Sequence, residues 1–92
     1  EPLVSGDRRV GDVVVDRDRP EFLSVWLEAP AAGRLTCDLL RRDGSVVSSV
    51  TYDAEGGTEW WGVPRPGEEV TRMRIADAAG GVVASGAVPT AP

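Results

Sequence analysis

The sequence predicts an all-β fold, and three observations carry the prediction. Runs of β-branched and apolar residues alternate with polar ones at a period of about two, as half-buried strands do. Turn residues (Asp-Gly, Gly-Gly, Pro-Gly) separate these runs at intervals of about 8 to 12 residues. No segment repeats its apolar residues at the spacing of an amphipathic helix. A chain of 92 residues built this way makes a small antiparallel β-sandwich of six to seven strands, immunoglobulin- or fibronectin-like and without a disulfide. A five- or six-stranded barrel is the alternative. The length 1–92 reads as a single domain, with a loose start over 1–9 and a tail over 89–92.

Each element follows from its residues. The start carries Gly6, Asp7 and two arginines, and leaves room for at most a short edge strand around Leu3 and Val4. Val10 to Val15 is a strand with valine on both faces, ended by the charged turn Asp16-Arg17-Asp18-Arg19-Pro20. Phe22 to Ala29 sets Leu23, Val25 and Leu27 on one face and Ser24, Trp26 and Glu28 on the other. Pro30-Ala31-Ala32-Gly33 leads into the clearest signal, two arms flanking Asp43-Gly44, a dipeptide that tolerates the positive φ angles of a type I′ turn. In the first arm Leu35, Cys37 and Leu39 share the inward face; in the second, Val46, Val50 and Tyr52 fall together. The short turn makes antiparallel pairing of 22–29 with 34–41 the simplest topology. Thr58 to Val63 is a short strand stopped by Pro64-Arg65-Pro66-Gly67, and alternation puts Trp61 inside and Trp60 outside. Val70 to Asp77 turns Met73 and Ile75 inward and pairs through Ala78-Ala79-Gly80-Gly81 with Val82 to Val88. That last strand carries no charge, so its edge lacks the usual protection against pairing.

Composition narrows the function. A net charge of -5 without a basic face argues against nucleic acid. All ten cations are arginine, a bias that fits a GC-rich bacterial genome. The lone Cys37 excludes an intrachain disulfide and, between Leu35 and Leu39, reads as a buried thiol. No run is long enough to span a membrane, and Glu1-Pro2-Leu3 does not begin a signal peptide, so no membrane contact is expected of this stretch. Serine nucleophiles would need a histidine or lysine base, and the sequence has neither. The acids Asp12, Asp16, Asp18, Asp53, Glu55 and Glu59 sit in solvated surroundings beside arginines and glycines. No catalytic residue and no cofactor is therefore expected. Neither Asp16, Asp18 and Glu21 nor Asp53 and Glu55 has calcium-loop spacing, so no metal is expected either. A platform of Trp26, Trp60 and Trp61 with Glu59 would suit a secreted carbohydrate- or peptide-binding module.

One longer pattern resembles a known family. Buried aliphatics, a turn, Gly33-Arg34-Leu35-Thr36-Cys37-Asp38-Leu39, Arg42-Asp43-Gly44, a polar strand, Trp61-Gly62, then Val70 to Ala76 and Val82-Val83-Ala84 is similar to the C-terminal domain of actinobacterial zinc-binding anti-sigma factors. The likeness runs from about Phe22 to Ala87 and contains no ligand-binding motif. The family's zinc site lies in a separate domain, and this chain has no histidine to build one. The resemblance implies a non-enzymatic regulatory domain tethered on the extracytoplasmic side of the cell membrane, or a cytoplasmic one in members without a membrane helix. Its partner would be an unidentified protein, or a second copy joined through an edge strand. The candidate interaction residues are Trp60, Val83, Ser85 and Ala87.

Overall fold

The computed structural model describes residues 1–28 and 32–89; Ala29, the expected turn residues Pro30 and Ala31, and the tail 90–92 lie outside them. The described residues contain eight strands: β1 (Pro2–Ser5), β2 (Arg8–Asp16), β3 (Arg19–Leu27), β4 (Gly33–Leu40), β5 (Val46–Ala54), β6 (Glu59–Pro64), β7 (Arg72–Ala76) and β8 (Val82–Ala87). They form one antiparallel sheet in the order β5-β4-β7-β8-β1-β2-β3-β6. The sheet curls until its end strands β5 and β6 face each other across a seam, a nearly closed barrel. The interior holds the inward side chains of every strand: Leu3, Val13, Leu23, Leu39, Val63 and Ile75 are all fully buried.

The β4–β5 and β7–β8 hairpins turn by the same device. The Gly44 amide donates to the Arg41 carbonyl and the Arg41 amide to the Ser45 carbonyl, while Gly80 and Asp77 repeat the pattern with Asp77 and Gly81. Gly44 and Gly80 sit at φ of 90° and 87°. This is a three-residue loop, a type I turn followed by a left-handed glycine, and not the type I′ turn expected at Asp43-Gly44. The carboxylates of Asp43 and Asp77 brace the two loops by accepting backbone amides at Ser45, Ala79 and Gly81.

Four other expectations are corrected. Residues 1–9 are not a loose start, because β1 lies in the interior of the order with Leu3 in the core. Strand 22–29 does not pair with 34–41: β3 is flanked by β2 and β6, and β4 by β5 and β7. The inward faces Leu23-Val25-Leu27 and Leu35-Cys37-Leu39 belong to one hydrophobic cluster without sharing a ladder. Third, β8 is not an open edge, since β7 pairs on one side and β1 meets it at Val4↔Ser85 on the other. Gly86 permits this approach: a β-carbon there would lie 2.3 Å from the Pro2 carbonyl oxygen. Finally, two bulges reverse local alternation. One between Leu39 and Leu40 leaves Val46 exposed and packs Val47 on the core, and one between Ile75 and Ala76 exposes Val82 and turns Val83 toward the core.

Candidate functional site

The most distinctive surface is the outer face of β2, β3 and β6. Trp26 and Trp60 are directly opposite each other in the β3–β6 register, followed by Ser24 opposite Gly62 and Phe22 opposite Pro64. Val14 on β2 stands opposite Ser24. Period-two alternation turns all of these away from the core, since their neighbours Leu23, Val25, Trp61 and Val63 are inside. The result is an apolar strip on which Trp60 is 62% exposed, Val14 42% and Phe22 40%. Beside it a shallow cleft of about 320 Å³ is lined by Asp16, Arg19, Phe22, Ser24 and Gly62. Gly62 adds no side chain, so the strip is open between Trp60 and Pro64.

Alternation assigns Trp60 and Trp61 as expected: Trp61 is buried, stacked on Tyr52 with ring centroids 4.7 Å apart and planes at 14°. The platform of three tryptophans is thereby reduced to Trp26, which is half-buried, and Trp60. Glu59 is corrected as well. It shares the inward face with Trp61 and is buried, its carboxylate accepting the Tyr52 hydroxyl at 3.0 Å and the Glu55 amide at 2.6 Å. This contact closes the seam at the β5–β6 loop and pushes the Tyr52 pKa up, first through the hydrogen bond to Glu59 and then through burial. The signal was present in the sequence, because whatever turns Trp61 inward turns Glu59 inward too.

The remaining candidates fall elsewhere. Val83, Ser85 and Ala87 are half-buried on interior strand β8, on the other side of β1 from the tryptophans. Asp16 accepts the Asp18 amide and closes the β2–β3 turn, and Asp53 reaches Arg34 across the β5–β4 pair. Cys37 is 1% exposed, and burial, with Asp38 beside it, pushes its thiol from an ordinary 9.0 up to about 12. A thiol so placed stays protonated and carries no nucleophile at neutral pH. Among the described residues no three histidine, cysteine or acidic side chains converge as a metal site, and no helix is long and apolar enough to cross a membrane. What the surface offers chemically is contact: desolvation of aromatic and aliphatic groups, with polar groups at the margin. No protein-family model matches the chain, and no curated protein or solved structure matches it.

Proposed function

We propose that the chain is a non-catalytic recognition domain with the build of a fibronectin-like β-sandwich, binding a protein partner through the outer face of β2, β3 and β6. The sandwich reading treats β5-β4-β7-β8 as one layer and β2-β3-β6 as the other, with β1 spanning them. The observation that carries the function is the exposure of Trp60 opposite Trp26, in line with Phe22 and Val14. These four side chains contribute little to the core, and exposed aromatic clusters of this kind supply the anchors of interfaces. The resemblance to anti-sigma factors implies that such a domain would belong to their regulatory, extracytoplasmic half.

The test uses the full-length protein in cells. Trp60→Ala with Phe22→Ser should leave the domain folded and change the response of a sigma-dependent reporter to envelope stress. An unchanged response from a folded, expressed variant would sink the anti-sigma reading. A carbohydrate-binding module is the second reading, favoured by two tryptophans on one face. Titration of tryptophan emission against a glycan panel separates the two: a shift that disappears in Trp60→Ala would select the carbohydrate.

A further inference from the structure

The sheet has two ends, and they are unequally prepared to meet another strand. The Arg65 amide donates to the Glu21 carbonyl. Alternation from there turns the backbone groups of Trp60, Gly62 and Pro64 toward the open side of β6. Proline has no amide proton, so this edge stops after two donors. On β5, the Arg41–Ser45 hydrogen bond and the register make Cys37↔Val50 and Leu35↔Tyr52 the hydrogen-bonded pairs. The amides and carbonyls of Ser49, Thr51 and Asp53 therefore point away from β4, into the open edge. This edge has its full set of donors and acceptors over 49–53, no proline, and side chains of Ser, Val, Thr and Tyr around a single charge, Asp53.

We propose that β5 pairs with β5 of a second copy of this chain, antiparallel, about a two-fold axis through Thr51. The sequence is self-complementary in this register and in none of its neighbours. Thr51 meets its own copy, and Ser49 lies opposite Asp53 of the second copy, so all three outward-facing residues enter hydrogen-bonded pairs. On the inward face Val50 meets Tyr52 of the second copy and the reverse, a favourable pairing of β-branched and aromatic groups. Centring on Asp53 would oppose two carboxylates. Centring on Val50 or Ser49 would run the pairing into the bulge at Val47, and centring on Tyr52 would set Ser49 against Glu55 in the loop. The proposal stands independently of the aromatic strip, which lies on the other end of the ladder.

The register makes the test specific. Hydrogen-bonded antiparallel partners have α-carbons about 5.5 Å apart, within disulfide reach. In Thr51→Cys the new thiol would face itself, whereas in Ser49→Cys the two copies of position 49 would be about 14 Å apart. Parent protein carries only the buried Cys37 and serves as the control. The proposal expects a concentration-dependent dimer of the parent in sedimentation, rapid covalent dimerisation of oxidised Thr51→Cys, none of Ser49→Cys, and loss of the parent dimer in Thr51→Pro. Thr51→Lys, a change of an exposed side chain, covers the case in which the proline variant fails to fold. Two results overturn it: Thr51→Cys cross-linking no faster than Ser49→Cys, or a parent dimer that survives Thr51→Lys.

Discussion

The outer faces of the two halves of the sheet are made by the same alternation and covered in opposite ways. On β5, β4 and β7 the outward residues are polar and tied to one another: Asp38 accepts both Arg74, at 2.9 Å, and the Ser49 hydroxyl, and Arg34 reaches Asp53. On β2, β3 and β6 the corresponding positions hold Val14, Phe22, Trp26, Trp60 and Pro64, with Asp12 and Ser24 among them. Water covers the first face at no loss. The second exposes aromatic and aliphatic area that folding leaves unburied, the feature on which the proposed interaction rests. The lesson is that burial of the core explains one side of each strand, and only the other side distinguishes the two halves.

The contrast can be tested by substitution, beginning with the core that both halves share. Leu39→Ala removes a fully buried side chain and should destabilise by about 2 to 5 kcal/mol. Because a single cluster joins both halves, they should unfold in one transition; separate transitions in calorimetry would show that the halves have separate cores. Glu59→Ala strands the Tyr52 hydroxyl and the Glu55 amide and should lower stability by about 1 to 3 kcal/mol in urea titrations. A loss no larger than that of an exposed acid would mean that the seam is not held there.

Stability should decline on the alkaline side. Cys37 and Tyr52 both have folded pKa values above their ordinary ones, so the stability they contribute is fully present below pH 9 and declines as pH rises toward 12. Tyr52→Phe should flatten the decline above pH 10 and Cys37→Ala the part that starts near pH 9; a melting curve series unaffected by either substitution would refute the assignment. Smaller still is Asp38→Ala on the polar face, about 1 kcal/mol or less for a partly exposed ion pair. Trp60→Ala, on the other face, should shift stability by no more than about 0.5 kcal/mol, whatever it does to the proposed binding. If Trp60→Ala unfolds the domain, the aromatic face is structural and the contrast fails.

The strands and their inward residues were legible because period-two alternation is local. Leu23, Val25, Leu27, Leu35, Cys37, Leu39, Met73 and Ile75 are all buried where the pattern put them, and the hairpins β4–β5 and β7–β8 form. What alternation cannot encode is an inserted residue. Val47 and Val83 sit at bulges, and each bulge exchanges the burial of a neighbouring valine. Nor is partner choice local: β3 follows the rule that consecutive strands pair only toward β2, because its other side takes β6. The interior place of β1 was hidden for a related reason. The trace it left was the run of small residues Ala84-Ser85-Gly86-Ala87, which reads as a weak strand until a second backbone is laid across it. In the candidate site, Trp60 was readable from parity alone, whereas its pairing with Trp26 required the register.

The contact between β1 and β8 also determines how the molecule would yield to a pull. The strands are antiparallel, with Val4 opposite Ser85 and the Pro2 carbonyl close to Gly86, so the beginning of β1 and the end of β8 emerge at the same end of the pair. Tension applied between Pro2 and Val88 would load that contact as a zipper opened from one end, one interaction at a time, instead of shearing a row of hydrogen bonds together. A tether attached there would open at low force, β1 would peel from β8 first, and the mechanical weak point of the sheet would be the place where its two halves are joined.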